Sequence, residues 1–303
     1  MKYDAIVIGS GAGGMTAAIY LKRANLNVLV IEKSAPGGQI TKTAHIENYP
    51  GFSSITGPDL ATNFFTHMLS LEIPFVGEEV ISIEDKKTEK IVKTNSNEYQ
   101  TKGVIIATGR SPRHLGFKEE ETYAGKGVSW CANCDGALFK NKTVTVVGGG
   151  NSAFEESLFL ANLAKQVNIV HRSDKYRAES STIQKVKSTA NINLYPYYEI
   201  KKINGKENTL ASIEIENNQD RSKVTLDTDG LFIYIGHDPV TDFAKKLNIT
   251  DEAGYIITDR SMRTKTPYIY ACGDVVAKEI YQVATAVGEA ATAASSLIND
   301  FTC

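Results

Sequence analysis

Residues 3–33, YDAIVIGSGAGGMTAAIYLKRANLNVLVIEK, decide the fold. An apolar run ends at Ile8, and Gly9, Gly11 and Gly14 follow in GxGxxG spacing. Met15, Ala18, Ile19 and Leu21 then recur at helical intervals before a second apolar run closes on Glu32. The pattern predicts strand, tight turn, helix and strand, a βαβ unit. Each glycine has its own reason: Gly9 permits the tight turn, Gly11 lets the backbone approach a pyrophosphate, and Gly14 lets helix and strand pack closely. The start of the helix offers free amide donors and the positive end of its dipole to phosphate oxygens. Glu32, 23 residues after Gly9, stands where a carboxylate accepts hydrogen bonds from a ribose diol.

The chain then repeats itself. Residues 142–172, KTVTVVGGGNSAFEESLFLANLAKQVNIVHR, give strand, Gly148-x-Gly150-x-x-Ala153, helix and strand, with Asn151 and Ser152 opening the helix and His171 again 23 residues after the first glycine. GVIIATGRSP at 103–112, which carries Thr108 and Gly109, is echoed by GLFIYIGHDP at 230–239. A repeat on this scale predicts an α/β protein with two Rossmann-like dinucleotide-binding domains. The copies differ at their acceptor ends. Glu32 suits a free ribose diol, whereas His171, Arg172 and Arg177 are donor or cationic groups suited to a 2′-phosphate.

The last third opens no new glycine turn. TKTPYIYACGDV at 264–275 reads as a strand returning to the first domain, with Asp274 beyond its carboxyl end over the cofactor crevice. The small-residue run YQVATAVGEAATAASSLI at 281–298 has the period of a closely packed helix. The first domain is therefore expected to be split, residues 1–113 and 241–303, with residues 114–240 inserted. The joints fall in RSPRHLG and GHDPVTD, polar and proline-bearing as linkers tend to be.

Composition excludes other classes. With 33 Lys plus Arg against 35 Asp plus Glu, a net charge of −2 implies no basic face of the kind that binds nucleic acid. The first strand begins at Tyr3, so no secretory leader is expected, and no apolar run approaches a membrane span; the expected location is the cytoplasm. Four cysteines include one close pair, Cys131 and Cys134 in SWCANCDG, residues 129–136. In a reducing compartment such a CxxC is a metal half-site or a redox pair.

The ordered set GSGAGG, PGGQI at 36–40, IENYPG at 46–51, ATG at 107–109, CANCDG at 131–136, GGGNSAFEES at 148–157 and ACGDV at 271–275 runs essentially end to end, and in it the sequence resembles the low-molecular-weight thioredoxin reductases. The resemblance implies a homodimer with FAD in the split domain and NADPH in the inserted one, and thioredoxin as the protein whose disulfide is reduced. Gly38, Gln39, Asn48 and Gln282 join Gly9, Gly11, Gly14, Glu32, Thr108, Gly109 and Asp274 as implied flavin-binding residues. It implies too that Cys134 faces the flavin, that Cys131 attacks the partner, that Asp135 manages the thiol protons, and that the inserted domain rotates between two states. A zinc reading meets a shortage of ligands, since only Cys272 and Cys303 remain, one inside an apolar strand and one at the chain end. No metal is expected. A purely structural CxxC bridge closes little chain and exchanges readily, which leaves the redox reading.

Two positions depart from the family pattern. HRSDKYR at 171–177 has Ser173 where the family carries a second arginine, which removes one charged fork from the 2′-phosphate site and weakens the expected preference for NADPH. A relative fed by ferredoxin, or one that reduces a peroxiredoxin or another dithiol partner, is the alternative. Tyr281 stands before Gln282 where relatives usually carry arginine or lysine. Cys303 reads as a terminal thiol without function and Cys272 as a buried core residue.

Overall fold

In a computed structural model, which describes residues 2–43 and 46–302, the chain forms two compact units. Residues 1–111 with 238–303 make the first and residues 112–237 the second. Cys303 lies outside the described residues.

In the first unit, Lys2–Ile8, Val28–Glu32, Phe75–Gly77 and Ile269–Ala271 run parallel with Glu98–Ile106, and Val80–Asp85 and Lys90–Thr94 extend the sheet antiparallel. The central strands read as continuous apolar runs because both faces are covered. Ala5 and Val7 point to a core with Met15, Ala18 and Leu21 of the helix Ala12–Arg23 and with Ala290, Ala293, Ala294 and Leu297 of the helix Val283–Thr302. Ile6 and Ile8 point the other way, to Val80, Ala244, Ile249 and Ile256. The alanines of the last helix let it lie close on the sheet, as its small-residue run predicts.

The strand Glu98–Ile106 is shared. Its first half pairs antiparallel with Lys90–Thr94, while Val104, Ile105 and Ile106 pair parallel with Ile269, Tyr270 and Ala271. The returning chain thus completes the first sheet, although only Ile269–Ala271 of the stretch 264–275 is strand.

The second unit has a five-stranded parallel sheet, Ile192–Pro196, Gln166–His171, Thr143–Val147, Gly230–Ile233 and Val128–Ser129 in spatial order. The helices Asn151–Ala161 and Ser180–Ser188 belong to it, and Tyr198–Lys206, Thr209–Asn217 and Lys223–Asp227 form a separate antiparallel sheet. The two joints, expected as linkers, are short strands, Arg110–Pro112 and His237–Pro239, paired with each other. No helix among the described residues is long and apolar enough to cross a membrane.

The first glycine turn shows why its residues are what they are. Gly9 has φ +103°, and a Cβ on Gly14 would stand 1.9 Å from the Gly9 carbonyl oxygen, a backbone atom that cannot swing aside. Gly14→Ala is expected to cost about 2–3 kcal/mol by overpacking, read as a fall in the thermal midpoint. An unchanged midpoint would mean that the turn yields.

Candidate functional site

The carboxyl ends of the parallel strands gather the first unit's predicted residues at one edge. Gly9 follows Ile8, Glu32 ends its strand, Thr108 and Gly109 follow Ile106, and Asp274 follows Ala271. Ligands bind at this edge in open α/β sheets. Glu32 is fixed by the chain itself: its Oε2 accepts from the Ser10 amide at 2.8 Å and the Ser10 hydroxyl at 3.1 Å, and Oε1 accepts from the Ser34 amide at 3.0 Å. The Gln39 side-chain amide donates to the Arg110 carbonyl at 3.0 Å, and Gly38 packs its Cα side toward Gly11, 3.3 Å from a built Cβ. Asn48 donates to Gln282 Oε1 at 3.1 Å, and the Thr108 hydroxyl donates to the Val240 carbonyl at 2.7 Å.

Arg110 is the residue sequence reasoning missed here. Its guanidinium lies 3.7 Å from the centre of the Tyr281 ring and donates to Asp274 Oδ2 at 3.3 Å, while its buried Nε has no partner. A cation therefore does stand over the ring at position 281, delivered from the segment that follows the strand Glu98–Ile106. Only the fold brings 110 and 281 together, so no sequence signal could have marked the pair. A Cβ on Gly11 would meet nothing within 4 Å. An open glycine turn, an orphaned guanidinium N–H and a ribose-type acceptor fit a dinucleotide with a polar ring system.

The second unit repeats the arrangement. Gly148, at φ +146°, follows Val147; a Cβ on it would stand 2.2 Å from the Tyr234 carbonyl oxygen, whereas one on Gly150 would meet nothing within 4 Å. Ala153 is buried behind this turn, and Asn151 and Ser152 are exposed in the first turn of the helix. Asn151 Oδ1 accepts from the Glu179 amide at 2.8 Å, and the Arg177 amide donates to the Gly149 carbonyl at 2.7 Å. The His171 ring lies against Gly149, with 2.5 Å to a built Cβ. Burial holds this imidazole below its ordinary value, a backbone hydrogen bond at Lys175 opposes that, and Arg172 and Arg177 push it lower again. Burial thus favours the neutral form of His171, and the exposed Arg172, Lys175 and Arg177 carry the positive charge. Ser173 is spent locally, its Oγ accepting from the Lys175 amide at 3.3 Å and lying 3.4 Å from His171 Nε2.

Cys131 and Cys134 are joined as a disulfide at the carboxyl end of the edge strand Val128–Ser129, on the edge of the sheet that also carries Gly148. Among the described residues no three His, Cys, Asp or Glu side chains could hold a metal ion. Cys131 is buried and Cys134 exposed. The Cys134 amide donates to Cys131 Sγ at 3.1 Å, a donor suited to a thiolate once the bond opens. Asp135 Oδ2 accepts from the Ser129 hydroxyl at 2.6 Å, and that oxygen accepts in turn from the Cys131 amide at 3.0 Å, so Asp135 reaches the pair through Ser129.

Four further residues bear on the pair without having been singled out in the sequence. The Ala132 amide donates to the Tyr234 hydroxyl at 2.7 Å, and the Asn133 side chain donates to Glu156 Oε1 at 3.2 Å. Glu156 Oε2 is buried without a donor. Burial, then the charge of Glu155, pushes the Glu156 carboxyl up from 4.5 to about 7, against the Asn133 hydrogen bond. Burial and the Glu156 charge also push the Tyr234 phenol well up, so it stays neutral. Glu156 shares a helix face with the buried Ala153, Ser157 and Leu160, and that period was the signal to read. Cys272 is fully buried, as expected of a core residue, its thiol raised to about 12 chiefly by burial.

The sequence profile of the family described as Pyridine nucleotide-disulphide oxidoreductase matches residues 3–290. A thioredoxin reductase of Listeria innocua is 43% identical over 287 residues, 95% of this chain and 90% of the relative. One from Bacillus subtilis is 41% identical over 295 residues, 97% of this chain and 93% of that one. The crystal structure of the Lactococcus lactis thioredoxin reductase superposes with a TM-score of 0.93 at 42% identity, covering 98% of each chain.

A raised acid makes stability fall with pH. Folding favours protonated Glu156, so its contribution is lost as pH climbs from the unfolded value of 4.5 through about 7. Glu156→Gln removes the penalty and is expected to raise stability at pH 8 by up to about 3 kcal/mol while changing little at pH 5. Thermal melts at the two pH values check it; an equal effect at both would place the carboxyl in solvent.

Proposed function

The chain belongs to the pyridine nucleotide-disulphide oxidoreductase family, among the thioredoxin reductases, and we propose that it reduces the disulfide of thioredoxin with electrons drawn from NADPH through FAD and the Cys131–Cys134 pair. The observation that carries the reading is the disulfide on the same sheet edge as a complete nucleotide turn, in a unit distinct from the one bearing the first glycine turn.

In this reading the first unit holds FAD, with Gly9, Gly11 and Gly14 at the pyrophosphate, Glu32 on the ribose diol, and Gly38, Gln39, Asn48, Thr108, Gly109, Asp274 and Gln282 along the rest of the molecule. Arg110 supplies the cation that Tyr281 does not. The second unit holds NADPH on Gly148, Gly150, Asn151, Ser152 and Ala153, with His171, Arg172 and Arg177 at the 2′-phosphate. When bound, the nicotinamide supplies a hydride and the flavin conducts its two electrons to the disulfide.

The chain's own residues do the rest. Cys134, the exposed sulfur, takes the position against the flavin. Cys131, shielded in the disulfide form, becomes the attacking thiolate once the S–S bond is open, with the Cys134 amide beside it. It forms a mixed disulfide with thioredoxin that Cys134 resolves. Asp135 handles the thiol protons through Ser129. One pair cannot face a flavin and a protein at once, so the second unit rotates between two states. The chain crosses between the units only at Arg110–Pro112 and His237–Pro239, and two short crossings suit a hinge. A homodimer in the cytoplasm completes the reading. The alternative of a ferredoxin donor is disfavoured by the open turn at Gly150, which a unit freed from nicotinamide binding does not need.

The test is anaerobic titration with NADPH and with NADH, followed by turnover with thioredoxin. The flavin absorbance is expected to bleach with NADPH in wild type and in Cys131→Ser alike, while the variant's thioredoxin turnover falls below about one thousandth. Bleaching by neither nucleotide, with dithionite still effective, would transfer the donor role to another protein. In the same titration Ser173→Arg restores one charged hydrogen bond at a half-buried site, about 1 kcal/mol, and should tighten NADPH about five-fold with NADH unchanged. Equal gains for both nucleotides would put residue 173 away from the 2′-phosphate.

A further inference from the structure

Glu156 is a half-buried acid, its Oε2 fully enclosed, that the scheme above does not use. It sits on the helix Asn151–Ala161 and reaches the four-residue turn that carries the cysteines. Of the two residues enclosed by the cysteines, Ala132 is tied through its amide to Tyr234 and Asn133 through its side chain to Glu156. The second carboxyl oxygen is buried with no donor, and a buried acceptor in that condition is satisfied most simply by a proton of its own.

We propose that Glu156 is a positioning residue for the Cys131–Cys134 pair and its proton reservoir: the disulfide form lets Glu156 ionise, and the dithiol form makes it take a proton. The proposal rests on reading the pair as a working redox centre. Reduction breaks the S–S bond with two electrons; one sulfur binds a proton and the other is left as a thiolate. That new charge arises next to Asn133, whose amide already touches Glu156, in surroundings where like charges repel strongly. The carboxylate relieves the repulsion by binding a second proton, so two electrons enter with two protons, and reoxidation releases both. The carboxyl that titrates near neutral pH is therefore coupled to the sulfurs by charge repulsion across the cysteine turn, and Asn133 holds it there without being the carrier of the coupling.

Other groups around the helix are accounted for. Glu155 on the same helix raises Glu156, and Glu179, ahead of Ser180–Ser188, acts on Glu155. Tyr234 beyond Gly230–Ile233 stays neutral, and Asp135 on the cysteine turn acts on Tyr234 and is held by Ser129. His171, at the end of Gln166–His171, is held toward its neutral form by burial, and the helix Ser180–Ser188 carries Lys185 and Lys187 in its last turn. Thr143–Val147 brings no titratable side chain.

The experiment is a redox titration of the flavin-loaded protein in dithiothreitol buffers from pH 5.5 to 9, with rapid alkylation and mass analysis of the peptide that spans Cys131 and Cys134. Wild type and Glu156→Gln are compared in identical buffers, so the reagent's own titration cancels. Above pH 7 the variant's reduction equilibrium should change about tenfold less per pH unit, the signature of one proton lost. Difference infrared spectra at pH 8 should show a protonated-carboxyl stretch appearing on reduction in wild type and absent in the variant. Asn133→Ala keeps the acid and removes a hydrogen bond that favours its charged form, so the break should move to higher pH and remain. Parallel pH profiles for wild type and Glu156→Gln, no carboxyl band in wild type, or loss of the break in Asn133→Ala each overturn the proposal. Thioredoxin turnover is assayed separately: its absence with the linkage intact strikes only the partner, and its presence with no linkage strikes only Glu156. A pair that no dithiol reduces overturns both.

Discussion

Everything in the first unit hangs on the parallel pairing of Val104–Ile106 with Ile269–Ala271. Three residues returned from far along the chain complete a sheet whose other members come from the first third. Without them Asp274 would not stand beside Thr108 and Gly109, and the segment that ends in the helix Val283–Thr302 would have no register on the sheet. The same pairing makes an insertion possible, because the strand that leaves and the strand that returns are neighbours. Where the chain crosses, the Val240 amide donates to the Gly109 carbonyl at 3.1 Å and the Thr108 hydroxyl to the Val240 carbonyl at 2.7 Å. Entry and exit are stitched together within the first unit, so the insertion costs it little order.

The second unit uses the same edge of its own sheet for two purposes. Gly148 stands at the end of one strand and Tyr234 at the end of the next, and the cysteine turn follows the edge strand beside them. A parallel sheet delivers all its strand ends to one side. The glycine turn and the disulfide therefore share an edge by topology, and Tyr234 touches both, its carbonyl closing on Gly148 and its hydroxyl holding Ala132.

What the sequence made legible follows from what is local. The glycine spacings, Glu32 and His171 are set by turns within one βαβ unit, where about 30 residues carry the whole geometry, and the disulfide needs only two cysteines three apart. The division of the chain was readable because the second glycine turn repeats the first. The antiparallel sheet of Tyr198–Lys206, Thr209–Asn217 and Lys223–Asp227 was not, because its strands carry no motif. Arg110 on Tyr281 lay beyond reach for another reason: a guanidinium 171 positions from its ring is placed by the sheet, and neither residue alone suggests the other. Glu156 is intermediate, since its helical period was visible while its neighbour Asn133 was not.

The two acids near the cysteines show how environment, rather than residue type, divides roles. Asp135 is bound by a hydroxyl that is itself fixed by the Cys131 amide, so its charge is answered by hydrogen bonds. Glu156 has one donor, a buried second oxygen and another acid beside it on the helix. Satisfied acceptors hold geometry, and an unsatisfied one trades protons. A disulfide that must open and close with its protons balanced needs both kinds of acid, and the cysteine turn touches one through Ser129 and the other through Asn133.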